Sequence, residues 1–267
     1  MPAQAQHIDS EHLFGFIIGT DVGELGDREI EGETVARWGK RGSYFAAAPA
    51  LEAEFVPIEN LRVSGTLSAA YHNSSGIAGL EDRRQGAFDS FAFDLRYRLI
   101  DRHQSGFGLA VDAEPHWGRV DPTSGEAVDR YGADLSLLLD TELVPDRVLA
   151  AFNLLYQPEA THSRLTEAWS REATFGTAAG LMVQVEPGIL IGAEARYLRA
   201  YQALALEKFA GQTLFLGPTL FSRLSKRMWI IAAFSSQIAG RAVNVPGSLD
   251  LTNFERHQAK VQFGLEF

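Results

Sequence analysis

Along most of this chain apolar and polar side chains alternate one for one, which is the period of a β-strand. Phe91, Phe93, Leu95, Tyr97 and Leu99 oppose Ala92, Asp94, Arg96 and Arg98. In the next segment Leu109, Val111, Ala113 and Trp117 oppose Asp112, Glu114 and His116. Further on, Leu135, Leu137, Leu139 and Leu143 oppose Asp134, Ser136, Asp140 and Glu142, and only Leu138 breaks the polar side. The chain closes in the same way. Ala259, Val261, Phe263, Leu265 and Phe267 fall on one face, and Gln258, Lys260, Gln262, Gly264 and Glu266 on the other.

Turn residues divide the sequence into segments long enough for tilted membrane-crossing strands, which need about 9–11 residues each. Counting back from the C-terminus gives strands near 255–267, 228–240, 212–224, 189–200, 171–185, 147–158, 130–144, 106–119, 86–100, 62–73, 43–57 and 12–21. That is twelve strands, an even number. Short connections such as Pro145-Asp146 alternate with long ones such as 22–42 and 241–254. This is the layout of an up-and-down barrel. The run Arg28 to Trp38 also alternates, weakly, and is read as a hairpin in the first outer loop, because an extra spanning strand would break the parity. On that reading Asp27, Arg28, Glu29 and Glu31 are outer-loop charges, as are Glu81, Asp82, Arg83 and Arg84 in the second. Pro49, Pro115 and Pro218 fall inside predicted strands and predict a bulge or an open backbone site at each.

Composition narrows the class. The chain has 267 residues and nothing in its middle reads as a linker, so one domain is expected: a periplasmic N-terminal segment over 1–11, then a barrel over 12–267. Apolar residues make up 46%, too many for a disordered chain, while a mean hydropathy of −0.08 is low for a helical membrane protein. No apolar run reaches the length of a transmembrane helix, a test that a barrel escapes because only alternate residues face lipid. The absence of cysteine excludes disulfides and thiolate metal sites. Pro2-Ala3-Gln4-Ala5-Gln6 looks like the remnant of a signal-peptide cleavage site. A net charge of −10 with no basic patch argues against nucleic acid as a partner.

The last strand, Val261-Gln262-Phe263-Gly264-Leu265-Glu266-Phe267, resembles the closing strand of Gram-negative outer-membrane β-barrels. The resemblance covers the whole chain only at the level of architecture and extends to transporter-like members of that broad class. It implies an all-β transmembrane up-and-down antiparallel barrel in the bacterial outer membrane, with both termini in the periplasm. It further implies contact with outer-membrane lipid and lipopolysaccharide. Phe263, Leu265 and Phe267 would then be the signal read by the barrel assembly machinery. A soluble β-sandwich would put the same apolar faces into a dry core. Charges repeated on the same faces, and aromatics such as Phe55, Tyr97, Trp117, Tyr197 and Trp229 near segment ends, favour the membrane.

In a membrane barrel the polar faces line the lumen. The expected lining is Asp94, Arg96, Arg98, Asp112, Glu114, His116, Asp134, Asp140, Glu194 and Arg196, with Glu52, Glu54, Arg223, Lys260 and Glu266 also inward. So many ionisable groups behind a low-dielectric wall need water, partners or both. Two readings stay open: a selectivity lining for a passive channel for small polar solutes or ions, or a salt-bridged interior that braces a barrel of little conductance. Strand direction puts Arg96 and Arg98 toward the periplasm and Glu114, His116 and Asp134 toward the outer mouth, a polarity that favours cations or uncharged solutes.

Chemistry of other kinds finds little support. No nucleophile-elbow, zinc-protease, phosphate-loop or calcium-loop motif occurs, and Gly15-Phe16-Ile17-Ile18-Gly19 reads as two glycines in a strand. The histidines do not cluster at metal-ligand spacing, so no metal, cofactor or catalytic residue is assigned. A third reading, a hydrolase, would use Ser236 and His257 on the lipid-facing rim, or Glu114, Asp134 and His116 at the mouth. Chance placement is the simpler account of both sets.

Overall fold

A computed structural model describes residues 8–267, so the expected signal-peptide remnant at 2–6 lies outside the described residues. Among those described, twelve antiparallel strands form one closed barrel in chain order. They are β1 (Arg28–Trp38), β2 (Ser43–Ile58), β3 (Leu61–Ser75), β4 (Arg83–Ile100), β5 (Gly108–Val120) and β6 (Ala127–Val144). The second half comprises β7 (Val148–Ser163), β8 (Trp169–Glu186), β9 (Ile189–Tyr201), β10 (Phe209–Arg223), β11 (Met228–Ala242) and β12 (His257–Glu266). A single-turn helix, α1 (Arg102–Ser105), sits in the β4–β5 connection. The barrel closes where β1 pairs with β12, from Glu29 opposite Glu266 to Trp38 opposite His257. Closure removes the free edges that would otherwise leave backbone amides unpaired in lipid.

The sides are those of a membrane barrel. Phe91, Phe93, Leu95 and Tyr97 are exposed on the outer surface, while Ala92, Asp94 and Arg96 between them are buried. Phe263, Leu265 and Phe267 also face out, and the Phe267 amide donates to the Arg28 carbonyl at 3.0 Å, continuing the seam past the end of β12. Proline interrupts the wall without shifting it. At Pro49 the β2–β3 pairing passes from Ala47–Tyr71 directly to Ala50–Ser68 with the same register on both sides. Equivalent gaps occur at Pro115, Pro158 and Pro218. The prolines therefore mark open backbone sites rather than bulges, because each loses one donor while its other flank stays paired.

The first strand differs from the expectation. Residues 12–21 form no strand, and Arg28–Trp38, expected as a loop hairpin, is β1. Parity allowed either segment but not both. The deciding property is sidedness: Glu29, Glu31 and Glu33 alternate with Ile30, Gly32 and Thr34, whereas Leu13-Phe14-Gly15-Phe16-Ile17-Ile18 has no polar face to turn toward a lumen. Glu29 and Glu31 are accordingly buried inside the barrel at its periplasmic end, not displayed on an outer loop.

Residues 8–26 instead run irregularly through the lumen as a plug. Leu13, Phe14 and Ile17 pack with Leu149, Ala151, Met182, Leu190, Phe221, Trp229 and Ile231, the inward apolar residues of β7 to β11. Gly15 is needed here, since a Cβ on it would lie 2.1 Å from the Cβ of Ala233. Gly180 of β8 likewise leaves room for the ring of Phe14, whose edge would be 2.7 Å from an added Cβ. Gly15→Val is expected to lift the plug off the wall while leaving the barrel folded. Faster amide hydrogen exchange confined to residues 12–20 would verify this; unchanged exchange there would contradict the packing described.

Candidate functional site in the lumen

An irregular segment inside a barrel has no neighbouring strand to bond, and its amides must find side chains instead. The carboxylate of Glu194 on β9 accepts from the amides of Gly15 and Phe16 at 2.6 and 2.8 Å. Asn153 on β7 accepts from the Ile18 amide and donates to the Ile18 carbonyl, each at 2.8 Å. Asp140 on β6 accepts from the Thr20 amide at 2.9 Å and from its hydroxyl at 2.8 Å. The three wall residues lie on three separate strands and follow the plug through the lumen. Above Phe16 the guanidinium of Arg196 stacks 4.0 Å from the ring centre.

Where the plug turns, Arg102 of α1 reaches into the barrel. Its guanidinium donates to Asp21 at 2.7 Å and to the Ile8 carbonyl at 2.5 Å, and forms an ion pair with Asp140 at 3.0 Å. Burial opposes the charge of Arg102, and Asp21 and Asp140 more than offset this, so its pKa lies above the ordinary arginine value. Burial would also raise Asp21, yet Arg102 and the Ser10 amide hold its carboxyl below the usual range. Plug, wall and periplasmic turn thus share one ionised cluster.

The plug covers only one half of the lumen. On the other side, β1 to β6 present carboxylates to a cavity of about 290 Å³, bounded on the plug side by Glu11, His12 and Phe14. Arg62 crosses this space, 3.0 Å from Glu54, 3.3 Å from Asp94, 3.5 Å from Glu11 and 3.8 Å from Glu52. Arg96 pairs with Asp112 at 3.0 Å. Glu114 and Asp134 stand side by side on β5 and β6, and among the described residues Glu114 has neither an ion-pair nor a hydrogen-bond partner. A second cavity of about 450 Å³ opens at the periplasmic mouth, and Glu11 and His12 border both. At the other end the turn 121–126 folds into the barrel, where the Pro122 carbonyl accepts from Arg37 and Tyr44. Lys40 bonds the carbonyls of Thr252 and Phe254, drawing the longest outer loop over the mouth.

Asp94, Arg96, Asp112, Asp140, Glu194 and Arg196 are buried and Arg98, Glu114, His116 and Asp134 partly buried, all on inward positions. They do not act alike: Asp140, Glu194 and Arg196 hold the plug, Arg98 reaches its Asp21, and His116 faces Glu159 at 3.5 Å. Sequence reasoning missed Glu11, His12, Asp21, Asn153 and Arg102. Its signal for them was the apolar Gly-flanked run itself, too greasy on both faces for a barrel strand. Ser236 and His257 are brought together, with Ser236 Oγ 2.8 Å from His257 Nδ1 on the outer surface between Trp38 and Phe234. Among the described residues no carboxylate orients the other ring nitrogen, as a serine nucleophile's base would require.

A model of the family DUF6662, a family of unknown function, matches residues 6–267. The chain belongs to the DUF6662 family. No curated protein sequence matches it. Among solved structures, an outer membrane channel from Pseudomonas putida F1 is similar with a TM-score of 0.62 at 12% identity, covering 93% of this chain and 98% of that one. The NanC porin gives a TM-score of 0.52 at 9% identity, over 88% and 98%. The translocator domain of the autotransporter NalP from Neisseria meningitidis gives 0.51 at 16% identity, over 93% and 91%. At such identities the similarity is one of fold. This DUF6662 protein is a closed twelve-strand β-barrel with the fold of those outer-membrane proteins.

The ionised cluster yields a stability prediction for this DUF6662 barrel. Arg102→Met strips Asp21 and Asp140 of their shared cation, and removing one partner of a buried pair costs about 3–5 kcal/mol. Thermal unfolding of the detergent-folded protein is expected to show the loss. A change within about 0.5 kcal/mol would mean that the cluster is solvated and bears little on stability.

Proposed function

We propose that this protein is an outer-membrane channel for small cations or small polar solutes, kept closed in the state described by its N-terminal plug. The observation that carries this reading is the uneven filling of the lumen. The plug binds the apolar wall of β7 to β11 and leaves a carboxylate-lined cavity along β1 to β6. A barrel meant only to be solid would have little use for Glu114 and Asp134 side by side at a cavity surface. Fixed negative charge facing water favours cations. The solved channel and porin of the same fold lend support by analogy only. Outer-leaflet lipopolysaccharide is the proposed surrounding. Phe263, Leu265 and Phe267 are the proposed recognition signal for the assembly machinery.

Planar-bilayer recording tests the reading. Phe14→Ala with Ile17→Ala is expected to raise the fraction of time spent open, since two large side chains leave the plug's packed face at a cost of about 2–5 kcal/mol each. Adding Glu114→Gln and Asp134→Asn should move the reversal potential in a salt gradient toward lower cation preference. Closed traces from both wild type and plug variant would discard the channel in favour of a braced, non-conducting barrel.

A further inference from the structure

Glu29 and Glu31 are inward acids near the start of β1, and both are more than nine-tenths buried. Among the described residues neither has an arginine or lysine within ion-pair distance; Arg62, which lines the same cavity as Glu31, is occupied by Glu11, Glu54 and Asp94. Each carboxylate is already held from behind. Trp229 Nε1 donates to Glu29 Oε1 at 2.5 Å, and the Gln262 amide donates to Glu31 Oε2. This leaves Glu29 Oε2 and Glu31 Oε1 turned toward His12 of the plug, at 3.2 Å from Nε2 and 3.2 Å from Nδ1 respectively. His12 is itself fixed by stacking on the Trp229 indole at 4.4 Å. His12 Nε2 and Glu31 Oε1 are buried and make no hydrogen bond.

Two buried carboxylates flank one imidazole, Glu29 at its Nε2 and Glu31 at its Nδ1, and with no arginine or lysine in ion-pair distance the set is short of positive charge. A protonated His12 would supply one charge for two carboxylates. A divalent ion supplies both. One donor atom from each of His12, Glu29 and Glu31 lies within 4.8 Å of the other two, and His12 forms a second such triad with Glu11 and Glu54. Metal–ligand bonds of about 2.1 Å in tetrahedral geometry put donor atoms about 3.4 Å apart. The spacing of 3.2 Å from His12 Nε2 to Glu29 Oε2, and of 3.7 Å to Glu11 Oε2, is of that size. The Trp229 and Gln262 hydrogen bonds resemble the outer shell that orients metal ligands. A mixed imidazole and carboxylate set suits zinc and similar transition ions better than calcium or magnesium, which take oxygen ligands alone.

We propose that His12, Glu29 and Glu31 form a binding site for a divalent transition-metal ion of the Zn²⁺ type, which ties the plug to the barrel wall. The site does not depend on the barrel being a channel, because binding is read without current. The test is calorimetric titration of the full-length, detergent-folded protein with zinc chloride, alongside hydrogen exchange of the plug. Binding near one ion per chain is expected. His12→Ala and Glu31→Gln should each weaken it by at least about tenfold. His116→Ala, which alters the separate group of Glu114, His116 and Asp134, should leave it unchanged. Zinc should also slow exchange of the amides of residues 13–20 in wild type and not in Glu31→Gln. No binding overturns the proposal, as does binding that survives both substitutions or that disappears with His116→Ala. Binding that leaves plug exchange unaltered overturns the tie to the wall. Glu31→Gln preserves side-chain volume and decides the matter should His12→Ala fail to fold.

Discussion

An irregular chain enclosed by a finished barrel meets a wall whose backbone groups are already paired with one another. Its own amides then depend on wall side chains, and an amide left unpaired in such an interior costs about 1–3 kcal/mol. Glu194, Asn153 and Asp140 meet that need for Gly15, Phe16, Ile18 and Thr20. The rest of the interior follows from them. The plug is held against the β7–β11 side, its apolar residues cover Met182, Phe221 and Ile231, and the acidic side of β1 to β6 stays open.

This division of labour explains why the interior mixes paired and unpaired charge. Asp140 serves the plug's backbone and Arg102 at once, so fold and plug share a buried cation. Arg62 and Arg96 neutralise part of the acidic wall, at Glu54, Asp94 and Asp112. Glu114 and Asp134 lie beyond their reach, next to the cavity. The first group braces; the second lines the cavity.

Much of the wall was legible in the sequence because period-two alternation is a local property that closure does not alter. Eleven expected strands overlap eleven observed ones. The misplaced strand shows where local reading runs out. Leu13 to Ile18 is apolar enough to be a wall, and only the missing polar face distinguishes a segment buried on all sides from one that separates lipid from water. Outer loops were also read too long: 159–162 continues β7 and 127–129 begins β6, since polar strand residues beyond the membrane lose the alternation used to recognise them. The contacts of Glu194 and Asn153 with a segment more than a hundred residues away in sequence leave no local pattern at all.

Residues 8–26 occupy the lumen, and everything above depends on it. Because the chain has no cysteine, single cysteines report this cleanly. Ile17→Cys and Leu25→Cys, the first 4% exposed against the wall and the second 62% exposed at the periplasmic mouth, are to be treated with a bulky water-soluble maleimide in the detergent-folded protein. The account predicts rapid labelling at position 25 and protection at position 17 until the protein is unfolded. Equal labelling rates at the two positions would contradict it.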